Sequence, residues 1–224
     1  MARRAAKAVA RVGRPSRADA LQLRERILVA ATELFLEEGY GSTSIEAVAE
    51  RAGISKRTFY DRFDDKAMLF GAVVHRIIEL IRPPPDVPLL AGATLPEVLQ
   101  RLAGLILRAA LSPPAIALHR LVSAESVRFP ELVSAVVSEG GTAEGIRLIS
   151  DLLARELPQA KLGDQERAFA AQQFIFMVVS LPQRRATGFG APMTAAELDA
   201  WTGQVVRLFL CGVQGLSRGS PAPT

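Results

Sequence analysis

Proline and glycine divide this chain into segments whose apolar residues recur every three to four positions, and that punctuated period limits the fold most. A 3.6-residue period puts apolar side chains on one stripe of a helix, whereas a half-buried strand needs strict alternation. No convincing alternating run occurs. The breaks are sharp: Pro83-Pro84-Pro85 with Pro88, Ser112-Pro113-Pro114, Phe129-Pro130, Gly140-Gly141, Leu157-Pro158 and the stretch Pro182–Pro192. Consecutive prolines supply no backbone donors, so a helix must end at the first cluster. The expectation is an all-α chain. Residues 18–65 read as a small N-terminal unit, a linking helix runs to about residue 82, and residues 66–216 read as a larger helical unit. Residues 1–17 and 217–224 read as disordered tails.

Composition then removes whole classes of function. With 49% apolar and 22% charged residues the chain is globular rather than fibrous or wholly disordered. One cysteine, Cys211, excludes a disulfide framework, and two histidines, His75 and His119, argue against a metal site. No cofactor is expected. The apolar run Phe174–Val179 is too short to span a bilayer, and no apolar stretch follows the N-terminal arginines as in a secretory signal. A cytoplasmic protein with no membrane partner is expected. No nucleophile elbow, phosphate loop, metal-ligand cluster or paired carboxylates appear, so an enzyme is not expected.

The formal net charge of +4 is unevenly placed. Arg3, Arg4, Lys7, Arg11, Arg14 and Arg17 give the first seventeen residues +6 with no acid, residues 18–82 carry −2, and the remainder is neutral. Such an arm means either a polyanionic partner or a solvated, disordered end. Gly13-Arg14-Pro15 would suit insertion of Arg14 into a narrow minor groove.

The N-terminal unit carries the chemistry. A first helix from about Asp19 to Glu38 aligns Ile27, Ala31, Leu34 and Phe35, and Gly39 and Gly41 stop it. Thr43 and Glu46 have the spacing of a capping box for a second helix. Ile45, Val48, Ala49 and Ala52 form its narrow apolar face, and Gly53 stands where a left-handed turn is needed. Ser55 is a good N-cap for a short third helix, about Lys56 to Arg62. Two short helices around a glycine turn, the second rich in Lys, Arg, Thr and Tyr, make a helix-turn-helix over about residues 44–63. Lys56 and Arg57 are placed to reach base edges, Thr58 a thymine methyl or a phosphate, and Tyr60 and Lys66 phosphates, Lys66 with help from the positive end of the fourth helix.

The motifs A-A-T-E-L-F at 30–35, G-Y-G-S-T-S-I at 39–45, A-G-I-S-K-R-T-F-Y-D-R-F at 52–63 and D-K-A-M-L-F at 65–70 resemble the tetracycline-repressor (TetR) family. The resemblance implies a dimeric, all-α transcriptional regulator, usually a repressor released from palindromic double-stranded DNA by a small molecule. It carries DNA contacts onto Thr43, Ser44, Lys56, Arg57, Thr58, Tyr60 and Lys66, to which Ser55 and Arg14 are added. Asp61-Arg62 departs from the family pattern: Asp61 either turns away from phosphate or reads a cytosine amine. The segments L-H-R-L-V-S-A-E-S-V-R-F-P-E-L at 118–132 and P-Q-R-R-A-T-G-F at 182–189 resemble a regulatory domain found in part of that family.

In the larger unit, Leu69, Val73, Ile77 and Ile81 mark the linking helix, and Val98, Leu99, Leu102, Leu105 and Ile106 mark the next. In the segment Phe169–Leu181 the run Phe174-Ile-Phe-Met-Val-Val179 is apolar all round, so this helix must be covered on more than one side. A last helix, about Ala196 to Leu216, aligns Leu198, Trp201, Val205, Leu208 and Gly212. The resemblance makes these two helices a homodimer interface. His119, Arg120, Glu125 and Phe129, with Phe174 and Met177, are the candidates for an effector pocket; Arg128 and Phe176 stand beside them. The competing function is a small-molecule-binding or protein-interaction module that does not bind DNA.

Overall fold

The computed structural model describes residues 17–84, 90 and 94–216. Its described residues form ten α-helices and one short 3-10 turn. The first four are α1 (Arg17–Glu38), α2 (Ile45–Arg51), α3 (Lys56–Tyr60) and α4 (Lys66–Ile81). Then come α5 (Leu95–Ala110), α6 (Pro113–Glu125), α7 (Glu131–Glu139) and α8 (Thr142–Glu156). The 3-10 turn Pro158–Ala160 precedes α9 (Asp164–Ala186) and α10 (Ala195–Leu216). Arg14 and the rest of the basic arm before Arg17 lie outside the described residues, as do Pro85 and Pro88.

Two hydrophobic cores organise these helices. The first gathers Ile27, Ala31, Leu34 and Phe35 of α1, Val48 and Ala52 around α2, Phe59 of α3, and Leu69, Phe70, Val73, Val74 and Ile77 of α4. Leu118 and Leu121 of α6 and Leu132 of α7 close the same core. The head therefore does not end at residue 65. It borrows one face of α4 and the undersides of α6 and α7. The second core joins Val98, Leu99, Leu102, Ala103 and Leu107 of α5 to Leu152 and Leu153 of α8, Phe174 and Val178 of α9, and Val205, Val206 and Phe209 of α10. In α5 the buried stripe shifts from the expected Leu105 and Ile106, which are half-buried, to Ala103 and Leu107.

Some boundaries differ from the sequence expectation for identifiable reasons. The helix α1 already includes Arg17, and α3 stops at Tyr60, after which the bonding tightens as the Arg62 N–H turns back to the Phe59 carbonyl. Pro182 does not break α9, which continues to Ala186. A proline at 182 cannot donate to the carbonyl four residues back, that of Val178. The Trp201 indole N–H of α10 donates to that carbonyl instead, at 2.9 Å. A tertiary hydrogen bond thus satisfies the acceptor that the proline leaves free.

Candidate nucleic-acid interface

The presentation of α3 begins with its caps. Ser55 has extended backbone and its hydroxyl accepts from the Thr58 N–H at 3.1 Å, occupying one donor that the helix start leaves orphaned. The Thr58 and Ser55 hydroxyls are also 2.9 Å apart and share a hydrogen bond. Before them, Gly53 takes φ +65°, a left-handed conformation that costs side-chain-bearing residues. The Arg26 guanidinium of α1 donates to the carbonyls of Ala52 and Gly53 and pins the turn from behind. Phe59 is fully buried, so α3 is anchored on one side. Its other side presents Lys56, Arg57 and Tyr60 to solvent, with Tyr60 45% exposed.

The second helix shows one correction. Ser44, not Thr43, is the N-cap of α2, accepting from the Ala47 N–H at 3.1 Å. The Thr43 hydroxyl donates to the Gly39 carbonyl at 2.8 Å, and the residue is only 2% exposed. Thr43 therefore shapes the turn and does not offer its side chain to a phosphate. Glu46, freed from the expected capping box, pairs with Lys56 across the two helices. Their hydrogen bond holds the Glu46 carboxyl below its ordinary range and the Lys56 ammonium above its own. Both groups are exposed, so this pair contributes little to stability. Asp61 is exposed as the C-cap residue of α3.

Lys66 opens α4 and leans back over the head. Its Nζ lies 4.4 Å from the Tyr40 ring centroid and donates to the Gly41 carbonyl at 3.5 Å. Burial lowers the pKa of this ammonium, opposed by the nearby carboxylates of Glu125 and Glu131. Tyr40 is enclosed by edge-on contacts with Phe70 and Phe129 and a tilted one with Phe35. Neither the Arg26 clamp nor this aromatic joint is legible in a linear reading, since both depend on residues brought from other helices.

A family model for bacterial regulatory proteins of the tetR family matches residues 27–73, and one for the AefR-like transcriptional repressor C-terminal domain matches residues 97–212. The second spans more than half of the chain. The protein belongs to the TetR family. It is a DNA-binding transcriptional regulator. Over 56 residues it is 38% identical to the transcriptional activator FasR of Mycolicibacterium smegmatis, covering 25% of this chain and 26% of that one. Over 63 residues it is 35% identical to the transcriptional repressor BepR of Brucella suis, covering 28% and 30%. The chain thus spans under a third of these curated relatives. The solved structure of FrrA, a flavonoid-responsive regulator, is similar with a TM-score of 0.72 and 27% identity, over 85% of this chain and 96% of that one.

The expected effector residues of this TetR-family chain do not converge. Glu125 and Phe129 face the turn after α1, where the Glu125 carboxylate binds backbone amides and Phe129 packs on Tyr40. His119 is exposed, and exposed Arg120 donates to the Ala186 carbonyl of α9 at 3.0 Å. Phe174 is fully buried, its ring centroid 4.9 Å from that of Phe209. These side chains do not form one pocket. Charge and aromaticity in 119–129 mark contacts between units, which a linear pattern cannot distinguish from ligand contacts.

The expected interface residues divide as well. Val205 is buried in the second core of its own chain and is not part of an outer seam. Leu198 and Trp201 are half-buried against that core. Leu208 is 65% exposed, Gly212 is exposed, and a Cβ at Gly212 would meet no atom within 4 Å. Leu208 shares an open apolar groove between α9 and α10 with Phe176, Met177, Leu181 and Trp201. Met177 therefore belongs to this groove. Among the described residues no single helix is long and apolar enough to cross a membrane.

Proposed function

We propose that this regulator is a homodimer that represses from a palindromic operator and is released by a small-molecule effector. The observation that carries the reading is the apolar groove between α9 and α10, with Phe176, Leu181 and Leu208 all substantially exposed. Exposed apolar side chains gathered on adjacent helices mark an interaction surface. The five-residue helix α3 reads too few bases alone for useful specificity. A second copy held by that seam makes the second half-site encounter intramolecular, and a two-fold dimer matches a palindrome.

Arg57 and Lys56 are proposed to read base edges, with Ser44, Ser55, Thr58, Tyr60 and Lys66 positioning the phosphates. The basic arm with Arg14 adds affinity through counterion release. The effector acts by population shift: it favours a spacing of the two α3 helices that no longer fits successive grooves. The helix α4 is the lever, since its apolar face lies in the head core while its chain leads into the second unit. FrrA is flavonoid-responsive by its name, which supports a small-molecule effector and makes flavonoids the first probes.

Selection of binding sites from random duplexes, followed by titration with and without flavonoids, tests the reading. The expected product is a paired, inverted site whose affinity falls on adding effector. DNA must then weaken effector binding by the same factor. Selection of unpaired single sites by a monomer overturns the dimeric reading, and equal effector affinity with and without DNA overturns release.

A further inference from the structure

The turn between α1 and α2 is gripped by a residue far away in sequence. Glu125, the last residue of α6, places Oε1 2.8 Å from the Tyr40 N–H and Oε2 2.7 Å from the Gly41 N–H. Each carboxylate oxygen takes one of two successive backbone donors. Charge-assisted bonds of this kind are stronger and more directional than neutral ones. The sequence around the turn is shaped to admit the carboxylate. Gly39 has φ +90°, and a Cβ there would stand 2.6 Å from Glu125 Oε1. At Gly41 a Cβ would stand 3.1 Å from Oε2 and 3.0 Å from the Phe129 ring. Neither glycine tolerates a side chain without moving the clamp.

Neighbouring groups continue the grip. The Tyr40 hydroxyl donates to Glu131 Oε1 of α7 at 3.2 Å, and the Tyr40 ring meets Phe129 edge-on, centroids 5.1 Å apart. A single turn, three residues before the N-cap of α2, is thus tied to the end of α6, the start of α7 and, through Lys66, the start of α4. The helix-turn-helix is joined to the second unit covalently by α4 alone. Leu118, Leu121 and Leu132 also pack into the head core, but apolar packing is non-directional, whereas the two hydrogen bonds of the clamp fix an orientation.

We propose that Glu125 is a positioning residue for DNA binding, whose two-amide clamp sets the orientation of the helix-turn-helix and hence the half-site spacing the dimer accepts. This rests on the dimeric, palindrome-binding function proposed above. Glu125 acts through the α1–α2 turn, so it sets spacing without setting base preference. Glu125→Gln keeps one acceptor but turns an NH2 group toward the second N–H, where two donors face each other.

The test uses the full chain and a palindrome selected by the wild-type protein, with base pairs inserted or removed between half-sites. The wild-type protein is expected to prefer one spacing. In Glu125→Gln that preference should shrink by about tenfold, the scale of one lost charge-assisted bond, with dimer mass and base preference within a half-site unchanged. Gly41→Ala leaves every charge in place and should flatten the spacing preference in the same way. Wild-type spacing preference in both variants overturns the proposal. So does uniform loss at every spacing accompanied by a lowered melting temperature, which would make the clamp a stability element only. Failure of the wild-type protein to select paired sites would instead remove the dimeric function itself, and the proposal with it.

Discussion

Arg57 and Lys66 occupy the same head but face different surroundings. Arg57 extends from α3 into solvent, free to bond a guanine edge, whereas Lys66 lies over Tyr40 beside the Gly41 carbonyl. Arg57→Ala should relax base preference at one position, at about 1–3 kcal/mol for a lost bidentate contact. Lys66→Ala should weaken binding to all sequences alike. Site selection on both variants checks this, and a base-preference change confined to Lys66→Ala would reverse the roles. Tyr40 makes a separate prediction in pH. Burial, aided by the charges of Glu131, Asp65 and Glu125, pushes its phenol above the ordinary tyrosine range. The folded chain then keeps a proton that the unfolded chain releases above pH about 10, so stability must fall as pH rises past that value. Tyr40→Phe should cost about 1 kcal/mol at neutral pH through the lost bond to Glu131. It should also flatten the alkaline decline. Urea unfolding from pH 8 to 11 reads both effects, and a parallel decline in the two proteins would refute the assignment.

At the scale of elements, α3 is too short to be stable by its own backbone bonds, and its ends decide whether it forms. Ser55→Ala removes the bond to the Thr58 N–H and should lower stability by about 1 kcal/mol. Because α3 carries the proposed base contacts, operator affinity should fall as well, while dimer mass stays constant. Calorimetry beside a gel-shift titration would measure the two losses. Unchanged affinity despite the lost cap would mean that DNA orders α3 without help from Ser55. The element scale also shows what could be read from sequence. Gly53, Ser55 and the apolar face of α2 were legible, because turn conformation, capping and helical periodicity are local. The α2 cap was misplaced by one residue, since Thr43 and Ser44 are both good caps and only the buried hydroxyl of Thr43 separates them. The path of α9 through Pro182 was hidden, because the Trp201 side chain that completes it comes from the next helix.

For the whole molecule, the proposed assembly rests on the outer faces of α9 and α10, where Phe176 and Leu208 are exposed. Leu208→Glu puts one carboxylate from each subunit into the proposed seam, where desolvation of charge is unfavourable. Monomers, or insoluble protein, should result, with operator binding lost although every residue of α3 is intact. Val205→Ala should behave differently, because Val205 is 4% exposed inside its own chain. That variant should lower stability, by about 1–3 kcal/mol for a truncated core side chain, and remain dimeric. Light scattering coupled to size exclusion separates the outcomes. A soluble Leu208→Glu dimer with normal operator affinity would place the interface elsewhere.

The sequence alone determined the helical class, the breaks between most helices and the helix-turn-helix with its exposed basic residues. Each of these depends on periodicity, backbone chemistry and capping within a few residues of one another. Tertiary structure alone decided which apolar and charged residues meet. Phe174, Val205 and Leu208 have the same character in a linear reading, yet two are core and one is surface, because helix packing selects the buried face. Glu125 shows the same limit with charge. Its carboxylate and the two amides it holds are separated by more than eighty residues, so no local pattern connects them until α6 has been laid across the head.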